Sequence, residues 1–99
     1  MLVAQGNLPT ALMSYQASLG IAERLAKADP DNAGWQRDLA LGYGRVATVE
    51  AQQGARNLVL AAFKEGREII GHLSQQSPDN ATLHNDLAWF DEQIVVQAR

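Results

Sequence analysis

The stretch Asp29-Pro30-Asp31-Asn32-Ala33 decides how the chain folds, because it occurs twice. It returns as Ser77-Pro78-Asp79-Asn80-Ala81, and the tripeptide Asp-Leu-Ala follows both copies at the same distance, at residues 38–40 and 86–88. A proline ends a helix because it pushes the preceding residue out of helical geometry. Asp and Asn side chains cap the start of the next helix. Each copy therefore predicts a break between two helices.

The two copies belong to an internal repeat with a period of 48 residues, the distance from Pro30 to Pro78. A shift of this length leaves twelve positions identical, namely Gln5, Gly6, Leu12, Ile21, Leu25, Pro30, Asp31, Asn32, Ala33, Asp38, Leu39 and Ala40 with their partners. Repeat arrays keep helix ends, caps and apolar positions because each unit buries its face only against its neighbours. We expect one domain, residues 1–99, with about two repeat units from a longer array.

Apolar residues recur at helical spacing between the breaks, and no segment shows the alternation of a strand. The sequence predicts an all-α, antiparallel helical-hairpin stack with helices at residues 7–28, 33–53, 56–76 and 81–97. The first helix carries one stripe of Leu8, Leu12, Tyr15, Leu19, Ala22 and Ala26 and a second of Ile21, Leu25 and Ala28. Two adjoining stripes predict a helix that is packed on both sides.

The remaining helices each show a core stripe of their own. They are predicted to bury Trp35, Leu39, Gly42, Tyr43, Val46 and Ala47; Leu58, Ala62, Phe63, Ile69, Ile70 and Leu73; and Leu83, Leu87, Phe90 and Ile94. Glycine inside a helix costs about 1 kcal/mol relative to alanine. Gly42 and Gly44 therefore indicate either a bend or the close approach of a neighbouring backbone.

The composition limits the classes of function. With 46% hydrophobic and 19% charged residues, the chain has the composition of a soluble globular protein. A net charge of −3 with two lysines, Lys27 and Lys64, offers no basic face for nucleic acid. The absence of cysteine excludes disulfides, thiolate zinc sites and a cysteine nucleophile. No apolar run reaches the roughly 18 residues of a membrane helix, and no signal peptide is evident, so we expect a cytoplasmic protein.

Further matched residues lie around the same breaks. Gly6, Ala11, Tyr15 and Pro30 in the first copy correspond to Gly54, Val59, Phe63 and Pro78 in the second. A glycine that ends a helix, a small residue five positions later, an aromatic residue nine positions later and a terminal proline resemble the tetratricopeptide repeat family. Tyr43, Val46 and Ala47 match its large, large and small positions. The unit is 14 residues longer than the usual length of about 34, Val59 replaces an alanine, and Glu50 stands where an aromatic residue is usual.

The resemblance implies a binding surface. In such arrays the first helix of each unit lines a groove that takes extended or helical peptides. The corresponding positions here are Arg37, Leu41, Arg45, Thr48 and Gln52 on the second helix and Asn85, Trp89, Gln93 and Val96 on the last. For Trp89 and Val96 the alternatives are a face that awaits a further repeat or a dimer contact. Arg37 has the alternative of pairing with Asp38 or with an acid on a neighbouring helix.

The chain offers few candidates for chemistry. Glu68 and His72 are four residues apart on one helix face, and His84 is a third candidate metal ligand or acid–base group on another helix. The simpler interpretation of Glu68 and His72 is a surface ion pair. No serine, glycine-rich or cysteine motif accompanies them. We therefore expect no enzyme, no cofactor and no metal.

Three hypotheses follow from the sequence. The first is a non-catalytic scaffold that binds a protein or peptide. The second is a structural unit that forms a homodimer about a two-fold axis through its apolar last helix. The third is a metal-binding or enzymatic domain that uses Glu68, His72 and His84.

Overall fold

The computed structural model describes residues 8–54 and 56–98. They form four α-helices, α1 (Leu8–Ala28), α2 (Ala33–Gln52), α3 (Arg56–Gln76) and α4 (Ala81–Ala98). Consecutive helices pack against each other through short connections, so the chain is an all-α stack of helical hairpins. The predicted fold class is confirmed, and the described helix ends lie within one residue of the predicted ones. The predicted helix-ending glycine at Gly6 and residue 7, the predicted first residue of the first helix, lie outside the described residues.

The two proline-containing breaks have the same hydrogen bonds. The Asn32 side chain accepts from the backbone N–H of Trp35 at 3.0 Å, and Asn80 accepts in the same way from Leu83 at 3.1 Å. In both turns the asparagine N–H also donates to the carbonyl three residues earlier. Each asparagine satisfies a helix N-terminal donor that would otherwise lack a partner. The sequence repeat is therefore also a structural repeat.

The core lies among the last three helices. Its buried members are Ala40 and Ala47 of α2, Val59, Phe63, Ile70 and Leu73 of α3, and Leu83 and Phe90 of α4. Helix α3 lies between the other two and carries most of the large buried side chains. The predicted stripe of α4 is confirmed, since Leu83 and Phe90 are buried and Leu87 and Ile94 pack against them.

Two of the packing predictions are wrong. Leu58 is 61% exposed, and its neighbour Val59 is buried instead. A stripe that runs through Val59, Phe63 and Ile70 faces α2 and α4, whereas Leu58 lies about 100° away around the helix. The second stripe of α1 is also open to solvent, with Leu25 40% exposed and Ile21 more so. Among the described residues, α1 is packed on one side only, against α2.

The glycines of α2 mark close approaches of side chains, not the close approach of a backbone or the bend that the sequence predicts. A Cβ atom at Gly42 would lie 3.1 Å from the side chain of Leu19 in α1. At Gly44 it would lie 3.1 Å from the indole of Trp89 in α4. Both distances are shorter than ordinary carbon–carbon contacts. In both cases the neighbour that comes close is a side chain, so the absent Cβ atom makes room for a ring or a leucine.

None of the four described helices combines the length and the hydropathy that crossing a membrane would require.

Candidate functional site

A groove of about 210 Å³ lies between α2 and α4. Its lining consists of Leu41, Gly44, Arg45 and Thr48 from α2 and Asp86, Trp89 and Phe90 from α4. On α2 these residues fall at positions i, i+3, i+4 and i+7, and on α4 at i, i+3 and i+4, so each helix contributes one face. The structure thus brings together four of the residues that the sequence indicated for partner binding, namely Leu41, Arg45, Thr48 and Trp89.

Trp89 is held by its neighbours while part of it remains open. Its ring is edge-on to Phe63 at 5.7 Å and to Phe90 at 5.0 Å between centroids. It also lies against Gly44, where a Cβ atom would be only 3.1 Å from the indole ring. The residue nevertheless remains 40% exposed. Aromatic pairs of this geometry add about 0.5–1.5 kcal/mol beyond area burial, so the indole is a fixed apolar surface in the groove.

Arg37 and Asp86 join the two helices near the end of the groove. The guanidinium donates to both carboxylate oxygens, from Nε at 2.7 Å and from Nη2 at 3.3 Å. The carboxylate side chain is only 15% exposed. The hydrogen bond to Asp86 raises the pKa of Arg37, and two parallel bonds fix the orientation of both side chains. Arg37 therefore pairs with an acid on a neighbouring helix, which was the alternative to partner binding.

The other predicted positions have different surroundings. The Thr48 hydroxyl donates to the Gly44 carbonyl at 2.8 Å, so it bonds to its own helix. Arg45 is exposed at the edge of the groove. Gln52, Asn85, Gln93 and Val96 do not line it: Gln93 is half-buried and the other three are exposed.

Sequence reasoning missed three lining residues, Gly44, Asp86 and Phe90, as parts of the site. Two of them had a signal. Gly44 is an unfavourable residue inside a helix, which indicates a close neighbour. Asp86 belongs to the repeated Asp-Leu-Ala tripeptide, and Arg37 immediately precedes the other copy. The sequence predicts Phe90 in the core, where the residue is indeed buried, and Phe90 also lines the groove.

The histidines do not converge. Glu68 and His72 line a larger cleft of about 580 Å³ between α3 and the α1–α2 turn. His84 instead hydrogen-bonds to the Pro78 carbonyl and lies 3.5 Å from the Ser74 hydroxyl. Within residues 8–54 and 56–98, no group of three or more His, Cys, Asp or Glu side chains is arranged to hold a metal ion. The prediction of a Glu68–His72 ion pair is also wrong, since the described residues form no such pair. The His72 ring instead lies within hydrogen-bond distance of the Gln76 side-chain amide, with 3.4 Å between the nitrogens.

No protein-family model, curated protein or solved structure matches the chain. Any function assigned to it therefore depends on the geometry of these surfaces.

Proposed function

We propose that the chain is a non-catalytic interaction module, a scaffold of tetratricopeptide type whose α2–α4 groove binds a segment of a partner protein. The observation that carries the proposal is Trp89, whose ring is fixed by its neighbours although the residue is 40% exposed. The exposed side chain of Arg45 lines the same groove. Tryptophan and arginine are the residues most enriched among side chains that dominate binding energy at interfaces. A rigid aromatic face loses little conformational freedom when a partner binds.

The size of the groove favours a peptide side chain over a cofactor. Small-molecule sites usually have volumes of about 300–1,000 Å³, and this groove has about 210 Å³. Leu41 and Trp89 would contact an apolar side chain, and Arg45 would contact an adjacent carboxylate. The partner would therefore present an apolar residue next to Asp, Glu or a free C-terminus. The lack of cysteine suits a reducing compartment, such as the cytoplasm.

A peptide array tests this proposal. Short peptides that carry one apolar residue beside one acidic residue would be probed with the 99-residue chain, and the best binders would be measured in solution. Trp89→Ala and Arg45→Glu should each weaken binding at least tenfold. Arg24→Glu makes the same charge change on the exposed surface of α1 and should leave binding unchanged.

The proposal would be wrong if no acidic–apolar peptide bound, or if the selected peptides bound Trp89→Ala as tightly as the unaltered chain. Circular dichroism on each variant separates loss of binding from loss of folding. Self-association is the second candidate function, because Val95 and Val96 of α4 are exposed by 56% and 44%.

A further inference from the structure

The 48-residue repeat shows how one unit packs on the next. It relates α1 to α3 and α2 to α4, and α2 packs on the hairpin formed by α3 and α4. Three contacts define this packing: Arg37 pairs with Asp86, the Ala40 carbonyl lies close to Gly66, and Gly44 lies against Phe90. The α2 members of these contacts, together with Ala33 and Ala47, form a stripe at helical spacing that faces the hairpin of α3 and α4. We call it the α2 stripe; it consists of Ala33, Arg37, Ala40, Gly44 and Ala47.

The equivalent stripe of α4 is open. Shifting the α2 stripe by 48 residues gives Ala81, Asn85, Ala88, Glu92 and Val95, and every one of them is exposed. Of their counterparts in α2, Ala40, Gly44 and Ala47 are buried, Arg37 is half-buried and Ala33 is exposed. From Arg37 onward the face is therefore covered in α2, whereas the equivalent face of α4 is uncovered.

The surface that would receive this stripe is also open, at the other end of the molecule. A groove of about 330 Å³ lies between α1 and α2, lined by Ser18, Ile21, Ala22, Leu25, Trp35, Asp38, Gly42 and Arg45. Shifted by 48 residues, this lining includes Gly66, Leu73, Asp86 and Phe90, which are the residues that α2 contacts or approaches. The exposure of Ile21 and Leu25 has the same origin, since no helix among the described residues lies on them.

The two open surfaces carry complementary polar groups. Inside the chain, the small Gly44 lies against the large Phe90. At the equivalent positions Glu92 stands on the helix and Gly42 in the groove, where Leu19 of α1 packs against the glycine. Arg45 lines the groove with Gly42, so it can pair with the Glu92 carboxylate. Asn85 likewise stands at the position equivalent to Arg37, and Asp38 at the position equivalent to Asp86. The side-chain amide of Asn85 can donate a hydrogen bond to the Asp38 carboxylate of the next copy.

We propose that copies of this chain associate head to tail, with the α4 stripe of one copy in the α1–α2 groove of the next. Each copy uses two different surfaces, so the contact is heterologous and every added copy presents a new α4. Assembly therefore continues beyond a dimer and extends the internal stack between molecules. Apart from Arg45, this contact uses residues outside the α2–α4 groove, so peptide binding and self-association can fail independently.

Complementary variants test the proposal by sedimentation equilibrium. Leu25→Glu blocks the groove, and Val95→Glu blocks the α4 stripe. The unaltered chain should show a mass that rises with concentration past that of a dimer. Each variant alone should remain a monomer up to about 1 mM, where even a millimolar dissociation constant would be visible. An equimolar mixture should form a heterodimer and nothing larger, because one intact groove and one intact stripe remain.

Met13→Glu places the same acid at an exposed apolar position outside both surfaces, and it should assemble like the unaltered chain. Ile21→Glu, at a more exposed position, replaces Leu25→Glu if that variant does not fold by circular dichroism. A monomeric unaltered chain at about 1 mM overturns the proposal. A groove variant that still dimerises points to a two-fold contact through α4 and overturns it as well, as does a mixture that stays monomeric.

Discussion

Gly66 provides the sharpest test of the packing, because it is where α3 touches both of its neighbours. A Cβ atom at this position would lie 2.6 Å from Cζ of Phe90, closer still to Cε1, and 3.0 Å from the backbone carbonyl of Ala40. Phe90 is fully buried, and its ring is edge-on to Phe63 and Trp89. Neither the ring nor the carbonyl can move away without displacing α4 or α2.

Two opposing effects set the magnitude for Gly66→Ala. Replacing glycine by alanine inside a helix should stabilise the fold by about 1 kcal/mol. Overpacking a core costs about 1–3 kcal/mol, and contact with a fixed ring and a backbone atom at once favours the upper end. The steric cost therefore exceeds the helical gain, and we expect a net loss of about 2 kcal/mol.

Urea unfolding followed by far-ultraviolet circular dichroism measures this difference. Gly20→Ala is the matched control, because Gly20 lies within α1 and a Cβ there would meet nothing within 4 Å. The control should gain up to about 1 kcal/mol, so the two substitutions change stability in opposite directions. If Gly66→Ala were as stable as Gly20→Ala, the close packing of α2, α3 and α4 described above would be incorrect.

Three further predictions concern other parts of the fold. A double-mutant cycle with Arg37→Ala and Asp86→Ala should give a coupling of about 1 kcal/mol in urea unfolding that persists in high salt, and no coupling would mean that the pair does not join the helices. Burial raises the pKa of the Glu50 carboxyl in the folded chain, so ionisation of this carboxyl opposes folding. The folded chain therefore loses stability as pH rises through the folded-state pKa of Glu50. The gain in stability of Glu50→Gln over the unaltered chain should therefore grow as pH rises above about 4.3, the ordinary pKa of glutamate, and a gain that stays constant with pH in urea titrations would refute this. Leu39→Ala and Leu87→Ala, both at half-buried and equivalent positions, should each cost about 2 kcal/mol in thermal or urea unfolding, and losses well under about 1 kcal/mol at both would mean that the repeat register is wrong.

The helix ends could be predicted because the physics that sets them is local. Proline geometry and asparagine capping act over three or four residues, so Asn32 and Asn80 could be read without knowing what packs on them. Which residues of an apolar stripe face the core cannot be predicted from local sequence in the same way. Leu58 and Val59 both fit a helical period, and only the position of α2 and α4 relative to α3 decides which of them is buried.

The candidate groove could be predicted in part for the same reason. Leu41, Arg45 and Thr48 share a helix face by spacing alone, whereas their meeting with Trp89 depends on how α2 crosses α4. The sequence does not fix the role of Arg37, because its long side chain can reach either Asp38 or an acid on a neighbouring helix. The structure selects Asp86, one residue beyond a full repeat from Arg37, and sequence spacing alone cannot assign such a contact across units.

The one-sided packing of α1 has a consequence for how the molecule opens. Among its described side chains only Ala11 and Ala26 are buried, while α3 carries Val59, Phe63 and Ile70 in the core. Helices with little buried apolar area exchange their amide hydrogens through partial openings that cost less than global unfolding. Amides of α1 should therefore exchange first and those of α3 last, and any molecule that occupies the α1–α2 groove would slow the exchange of α1.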